Sequence, residues 1–202
     1  MPTRPEYSGL RPDGREPSFK VSTRQLGMIV LFASLSVLFT ASLVAYLVTR
    51  LRADVWQTPA MPALPRGLLV STATLVALSF CVERALSAIR HNRHESLVKN
   101  LWLSLLFAVA FLGGQSMNWL YMQQAALAPG TRTLYPFTFF LLTGLHAAHI
   151  AGGFVPLGIV LARARRREYS SSNHEGVRLC AQYWHYLGVV WLVLLGTLYV
   201  AT

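Results

Sequence analysis

The sequence predicts an all-α integral membrane protein: a five-transmembrane-helix bundle with its N-terminus cytoplasmic and its C-terminus outside. Three observations predict it. Of 202 residues, 53% are hydrophobic and 13% charged, against about 25% charged in an ordinary soluble domain. Mean hydropathy is +0.42. The basic residues gather in a few short segments between long uncharged runs, the pattern of membrane loops. The net charge of +10 is therefore read as topology, and no nucleic-acid partner is expected. Two cysteines, Cys81 and Cys180, form neither a CxxC nor a zinc spacing, which excludes a disulfide scaffold or zinc finger.

A helix needs about 20 apolar residues to cross the bilayer. Five stretches meet that need, at about 26–48, 67–89, 101–122, 137–161 and 179–201. The first carries no charge. The second is uncharged for 16 residues before Glu83 and Arg84. Backbone groups in lipid must be satisfied within the segment, so the spans are helices, and they are too continuous for a membrane barrel. Residues 1–25 read as a polar cytoplasmic tail and 26–202 as a single membrane domain. The tail contains Pro2, Pro5, Pro12 and Pro17 and no short apolar stretch before a cleavage site, so no signal peptide is expected. Counting Lys and Arg on alternate sides gives 14 against 4. The richer side is cytoplasmic. The loop from Arg50 to Arg66, with Pro59, Pro62 and Pro65, is expected to lie across the outer surface, and Trp56 at the outer interface. No internal repeat divides the chain as a repeat transporter requires.

Polar groups inside a span cost free energy and usually face protein. The fourth span carries Thr143, His146 and His149 at three-residue spacing, on one broad face. Gly144, Ala147, Ala148, Ala151, Gly152 and Gly153 are small enough for close helix approach. The fifth opens with Gln182, Tyr183, Trp184, His185 and Tyr186 and continues to Gly188 and Trp191. The third carries Gln115 and Asn118 one turn apart, beside Trp119. Two readings compete for this cluster of Thr143, His146, His149, Gln115, Asn118, Gln182, Tyr183 and His185. In one, the histidines hold a metal or, from facing helices, a bis-histidine haem, or line a proton path. In the other, they hydrogen-bond across helices and fix register, at about 0.6 kcal/mol per bond. The second is preferred, because zinc wants four ligands and the spans offer the histidines no acidic neighbour in sequence. No catalytic, cofactor-binding or metal-binding residue is therefore assigned. His146 is expected to bond toward the third helix, so that glutamine there is tolerated better than leucine. His185 is expected to bond near the cytoplasmic side. Glu83 with Arg84 reads as an interfacial anchor, the run Arg163, Arg165, Arg166 and Arg167 as a topology determinant that also attracts anionic lipid, and the two cysteines as packing.

Phe139, Phe140, Thr143, Gly144, His146 and His149 together resemble the F-x-x-x-T-G-x-H-x-x-H segment of subunit III of haem–copper oxidases. Tyr183, Trp184 and His185 followed by Val189, Val190 and Trp191 resemble the Y-W-H-F-x-D-V-V-W segment of that family's last helix. Gly27 and Met28 through Ser34 resemble its G-M-x-x-F-x-x-S-E helix. Asn173 and His174 before the last span fit too, and Gly113, Gln115 and Trp119 fit its third-helix stretch less tightly. The resemblance covers all five spans and suits the shorter bacterial form. Four of the family's acids are replaced, at Leu35, Asn118, Arg178 and Gly188, which marks a divergent member and leaves the histidines without their usual ion-pair partners.

The resemblance implies an accessory subunit without redox centre, packed beside catalytic subunit I and with subunit II in the inner (plasma) membrane. There it supports assembly, sustained turnover and proton uptake in aerobic respiration, driven by cytochrome c or quinol. Haem and copper belong to the partner, and phospholipid binds in a cleft between helices. The chain itself offers no nucleophile, phosphate loop or paired carboxylates. A subunit III-like partner of nitric oxide reductase and a stand-alone bis-histidine haem protein are the alternatives.

Overall fold

The computed structural model describes residues 22–56, 64–126 and 134–200. Most of the polar tail, Pro59 and Pro62 of the first loop, Arg132, and the last two residues lie outside the described residues. Five helices follow in order: α1 (Thr23–Arg52), α2 (Gly67–Arg90), α3 (His94–Ala126), α4 (Leu134–Arg165) and α5 (Glu175–Val200). Each is long and apolar enough to cross a membrane. The chain is an all-α membrane protein.

The helices outrun the apolar stretches that announce them. α3 starts at His94, two turns before the uncharged run, because Glu95, Ser96 and Lys99 can sit as a helical turn among headgroups. A 30-residue α1 is about 45 Å long, against a hydrocarbon core of about 30 Å. Ser22 caps α1 with the reciprocal Ser22–Gln25 bonds of a capping box. Asn92 (φ 54°) and Arg167 (φ 57°) end α2 and α4 in left-handed conformation. There the Arg93 and Glu168 amides return to the Ala88 and Arg163 carbonyls, a C-terminal cap in which glycine is the commoner residue. Pro136 lies in the first turn of α4, where it removes no helical bond. Pro156 lies in its interior and leaves the Gly152 carbonyl without its helical donor.

Three junctions meet at one end of the bundle. Asn92 of the α2–α3 turn bonds Ser171 of the α4–α5 loop. Ser22 and Arg24 at the start of α1 reach Glu175 at the start of α5. This is the basic end, with Arg84, Arg90, Arg93, Lys99 and the arginines of 163–167. At the other end Trp56 packs edge-on between Tyr46 and Tyr135, under the Arg50 guanidinium. It is buried among these rings.

α2 and α3 form the tightest pair; α3 also packs on α4, and α5 closes the group against α2 and α4. α1 is different. Among the described helices it meets only α4 and α5, and its fully buried residues are Leu35, Phe39 and Tyr46. Met28, Phe32 and Leu43 are half-buried against the core, while others, such as Val37 and Val44, are exposed and suited to lipid. Hydroxyls that face outward are satisfied within their own helix: Ser42, Ser116 and Thr197 donate to carbonyls four residues earlier. In hydrocarbon no water would replace those bonds.

Candidate functional site

The polar residues of the helices are distributed along the helix seams. Between α2 and α3, the Asn118 amide donates to Gln115 Oε1 at 2.9 Å and to Ser71 Oγ at 3.4 Å. Small residues make room for it. A Cβ on Gly114 would lie 3.0 Å from Ser71 Oγ, and one on Gly67 would collide with the Asn118 side chain. Between α3 and α4, the Trp119 indole donates to Thr143 Oγ1 at 3.0 Å, while Thr143 donates to the Phe139 carbonyl at 2.7 Å. Between α4 and α5, Tyr183 donates to the His149 carbonyl at 2.8 Å. There the backbone approach depends on Gly153, where a Cβ would lie 2.9 Å from the Tyr183 ring and 3.0 Å from Trp184. Gly144 is not such a point: nothing lies within 4 Å of its would-be Cβ.

The three histidines go to three environments. His149 Nδ1 donates to the Leu145 carbonyl of its own helix at 2.7 Å. His185 Nε2 lies 3.3 Å from Glu83 Oε2 of α2. His146 is fully buried, and neither ring nitrogen has a hydrogen-bond partner. Its neighbours are Trp191, Phe111 and Phe39, at ring-centroid distances of 5.2, 5.8 and 6.1 Å. The expected bond from His146 toward the third helix is therefore corrected. It faces Phe111, one turn before Gln115; the Gln115 oxygen accepts from Asn118, and its Nε2 is buried without a partner. The expectation that no acid serves the histidines is corrected too. Glu83 is not an interfacial anchor alone but the partner of His185; Arg84 turns aside onto the Phe80 ring. Gln182 is exposed and makes no side-chain bond among the described residues.

Rings pack against His146 on three sides and leave no space for a haem against it. Among the described residues no group of three His, Cys, Asp or Glu side chains gathers as a metal site. Cys81 and Cys180 are buried as free thiols.

Besides Asn118, the positions at which the resemblance expects acids have these surroundings. Leu35 is buried and lines a cleft of about 480 Å³ between α1, α4 and α5, together with His149, Gly152, Pro156 and Tyr183. Arg178 pairs with Glu175 one turn earlier, at 3.8 Å. Gly188 leaves a groove beside His185, and the carboxylate there comes from Glu83 on the neighbouring helix. At the basic mouth of the cleft, burial pushes the Tyr169 hydroxyl above its ordinary range, with the Arg163 charge acting the other way.

The residues that sequence reasoning missed are Thr72, Ser71, Phe111 and Glu83. Thr72 accepts from the Trp191 indole at 2.9 Å. Only Glu83 carried a signal, as an acid well inside an apolar run; its partner depends on which helices are neighbours.

The fold and these seams define a class: a multi-helix integral membrane protein whose helix seams are crossed by side-chain hydrogen bonds. The comparisons with known proteins make the class specific. The family model for cytochrome c oxidase subunit III matches residues 14–202. Cytochrome c oxidase subunit 3 of Synechocystis is 30% identical over 180 residues, 87% of this chain and 75% of that protein. That of Thermostichus vulcanus is 29% identical over 188 residues, 92% and 89%. The carp protein is 32% identical over 131 residues, 65% and 49%. This chain belongs to the cytochrome c oxidase subunit III family.

The aromatic box reverses the expectation for His146. His146→Leu removes two unpartnered nitrogens and keeps assembly at the wild-type level. His146→Gln brings an amide into the box, and Thr143→Val strands the Trp119 indole; each lowers stability by about 1–3 kcal/mol. Thermal midpoints and recovery of the detergent-extracted protein check this. Glutamine tolerated better than leucine would restore a hydrogen-bonded His146.

Proposed function

We propose that this chain is the accessory, non-redox subunit of a haem–copper terminal oxidase in aerobic respiration. It packs beside the catalytic subunit I, with subunit II in the same complex, and supports assembly, sustained turnover and proton uptake. The observation that carries this reading is the family match along 14–202, with relatives named as oxidase subunit 3 over most of their length. The helix seams support it. Trp119, Tyr183 and Trp191 donate to other helices, and Asn118 reaches Ser71, which suits a scaffold rather than a redox site. Haem and copper then belong to the partner subunit.

The membrane is the cell's inner (plasma) membrane, with residues 1–25 a cytoplasmic tail and 26–202 one five-helix domain. The basic end of the bundle faces the cytoplasm, by the 14-to-4 asymmetry of Lys and Arg. The cleft between α1, α4 and α5 takes phospholipid. Its walls include Met28, Leu31, Leu35 and Ile159, and Arg163 stands at its basic mouth, where an arginine can meet a headgroup phosphate.

Two measurements test the reading. Reporter fusions at the C-terminus place it outside; a cytoplasmic C-terminus would overturn the orientation. A tag on this chain brings down a larger haem-bearing subunit from mild detergent, and the chain stripped from that complex has no Soret band. Stoichiometric haem on the separated chain, or no oxidase subunit in the eluate, would overturn the assignment.

A further inference from the structure

Among the described helices Glu83 is the one acidic residue that lies more than one turn from a helix end. It stands seven residues before Arg90, the last of α2, a rise of about 10 Å. α2 has 24 residues, or about 36 Å, only a few ångströms more than the hydrocarbon core. With α2 centred on that core, Glu83 falls inside the edge of the hydrocarbon. His185 lies ten residues into α5, about 15 Å from its start, and meets Glu83 at 3.3 Å. Arg84, the next charge, packs on Phe80 and toward the polar end, where it lines a cleft with Ser87, His91 and Arg93.

The pair is not covered. The two side chains are 54% and 40% exposed. Beside them runs a groove of about 240 Å³ between α2 and α5, lined by Val76, Ser79, Gly188, Val189 and Leu192. Gly188 opens it: a Cβ there would lie 3.3 Å from Ser79 Oγ. Val76, Phe80, Val189 and Leu192 continue the groove as exposed apolar surface. Lipid tails suit that apolar surface but not the pair. An ionisable residue at this depth is costly against lipid and is found facing protein or a watery cavity. Small residues in the groove admit a helix at close approach. Only Oε2 of Glu83 meets His185, which leaves Oε1 as an acceptor that an acyl chain cannot serve.

We propose that the α2–α5 face around Glu83 and His185 is the seat of one transmembrane helix of the catalytic subunit. That helix brings a hydrogen-bond donor to the free oxygen of Glu83. The proposal rests on the subunit reading above and adds the face and the chemistry by which the chain is held. In the seat, the Glu83–His185 pair marks register, and the groove at Gly188 and Ser79 receives a side chain of the partner.

The test is photo-crosslinking in cells that make the whole complex, with a benzophenone amino acid at Val189 in one strain and at Val37 of α1 in another. The expected result is a crosslink from Val189 to the catalytic subunit. A catalytic-subunit crosslink from Val37 alone would overturn this face and leave the subunit reading intact. Crosslinks from Val189 only to lipid, or only to a second copy of this chain, would overturn it as well. No oxidase subunit in either strain or in the tagged eluate would sink the subunit reading itself. Alongside, Glu83→Gln keeps an acceptor oxygen and holds recovery of the catalytic subunit near wild type, whereas Glu83→Leu lowers it about fivefold in detergent. The thermal midpoint of each variant chain separates loss of docking from loss of folding. Equal recovery with Glu83→Leu and wild type would remove the pair from the seat.

Discussion

The described structure turns on one indole. Trp191 of α5 is fully buried and touches the three helices that surround it. It donates to Thr72 of α2 at 2.9 Å, meets Phe111 of α3 edge-on at 5.1 Å, and lies 5.2 Å from the His146 ring of α4. Association of helices in lipid gains little from burying apolar surface, because the tails are as apolar as leucine. Packing and interhelical hydrogen bonds must do it. One large side chain that supplies both, to three neighbours, makes α2–α5 a unit. His146 is best understood as part of that packing, a flat ring among flat rings rather than a hydrogen-bonding group.

α1 lies outside this arrangement. Its attachments are the Ser22–Glu175 bond, the stacking of Phe32 on Tyr186 with Ser36 bonded to its hydroxyl, and Phe39 against the two histidines of α4. These are enough to position it, but they leave the cleft that Leu35 and His149 share. The loss of an acid at Leu35 makes that cleft more apolar on the α1 side. At Gly188 the surroundings differ: the acidic partner of His185 comes from α2, and a groove opens beside the pair.

The number of helices and their approximate extents were legible because hydropathy and the cost of unpaired backbone in lipid leave few choices. Their ends were less so, since the turns at His94–Lys99 and Arg163–Arg165 are polar yet helical, and hydropathy does not report helices beyond the hydrocarbon. Within the site, the polar residues could be found from sequence but their partners could not. Thr143, Asn118 and Tyr183 stood out as polar groups in apolar runs. That Thr143 serves Trp119 and Tyr183 serves a backbone carbonyl depends on helix rotation, which a face drawn at three-residue spacing leaves open. Grouping His146, His149 and His185 as one cluster failed for the same reason. Spacing puts the first two on a common face of α4, but a buried ring and a ring bonded to its own helix do different things.

If Trp191 joins α5 to α2 through its hydrogen bond as well as its bulk, the two ends of that bond must be energetically coupled. A double-mutant cycle of Trp191→Phe and Thr72→Val, read as thermal midpoints of the detergent-extracted protein, measures this most directly. The expected coupling is about 1 kcal/mol, with the double variant less damaged than the two single changes summed. Strictly additive losses would contradict the account and leave Trp191 as packing volume alone.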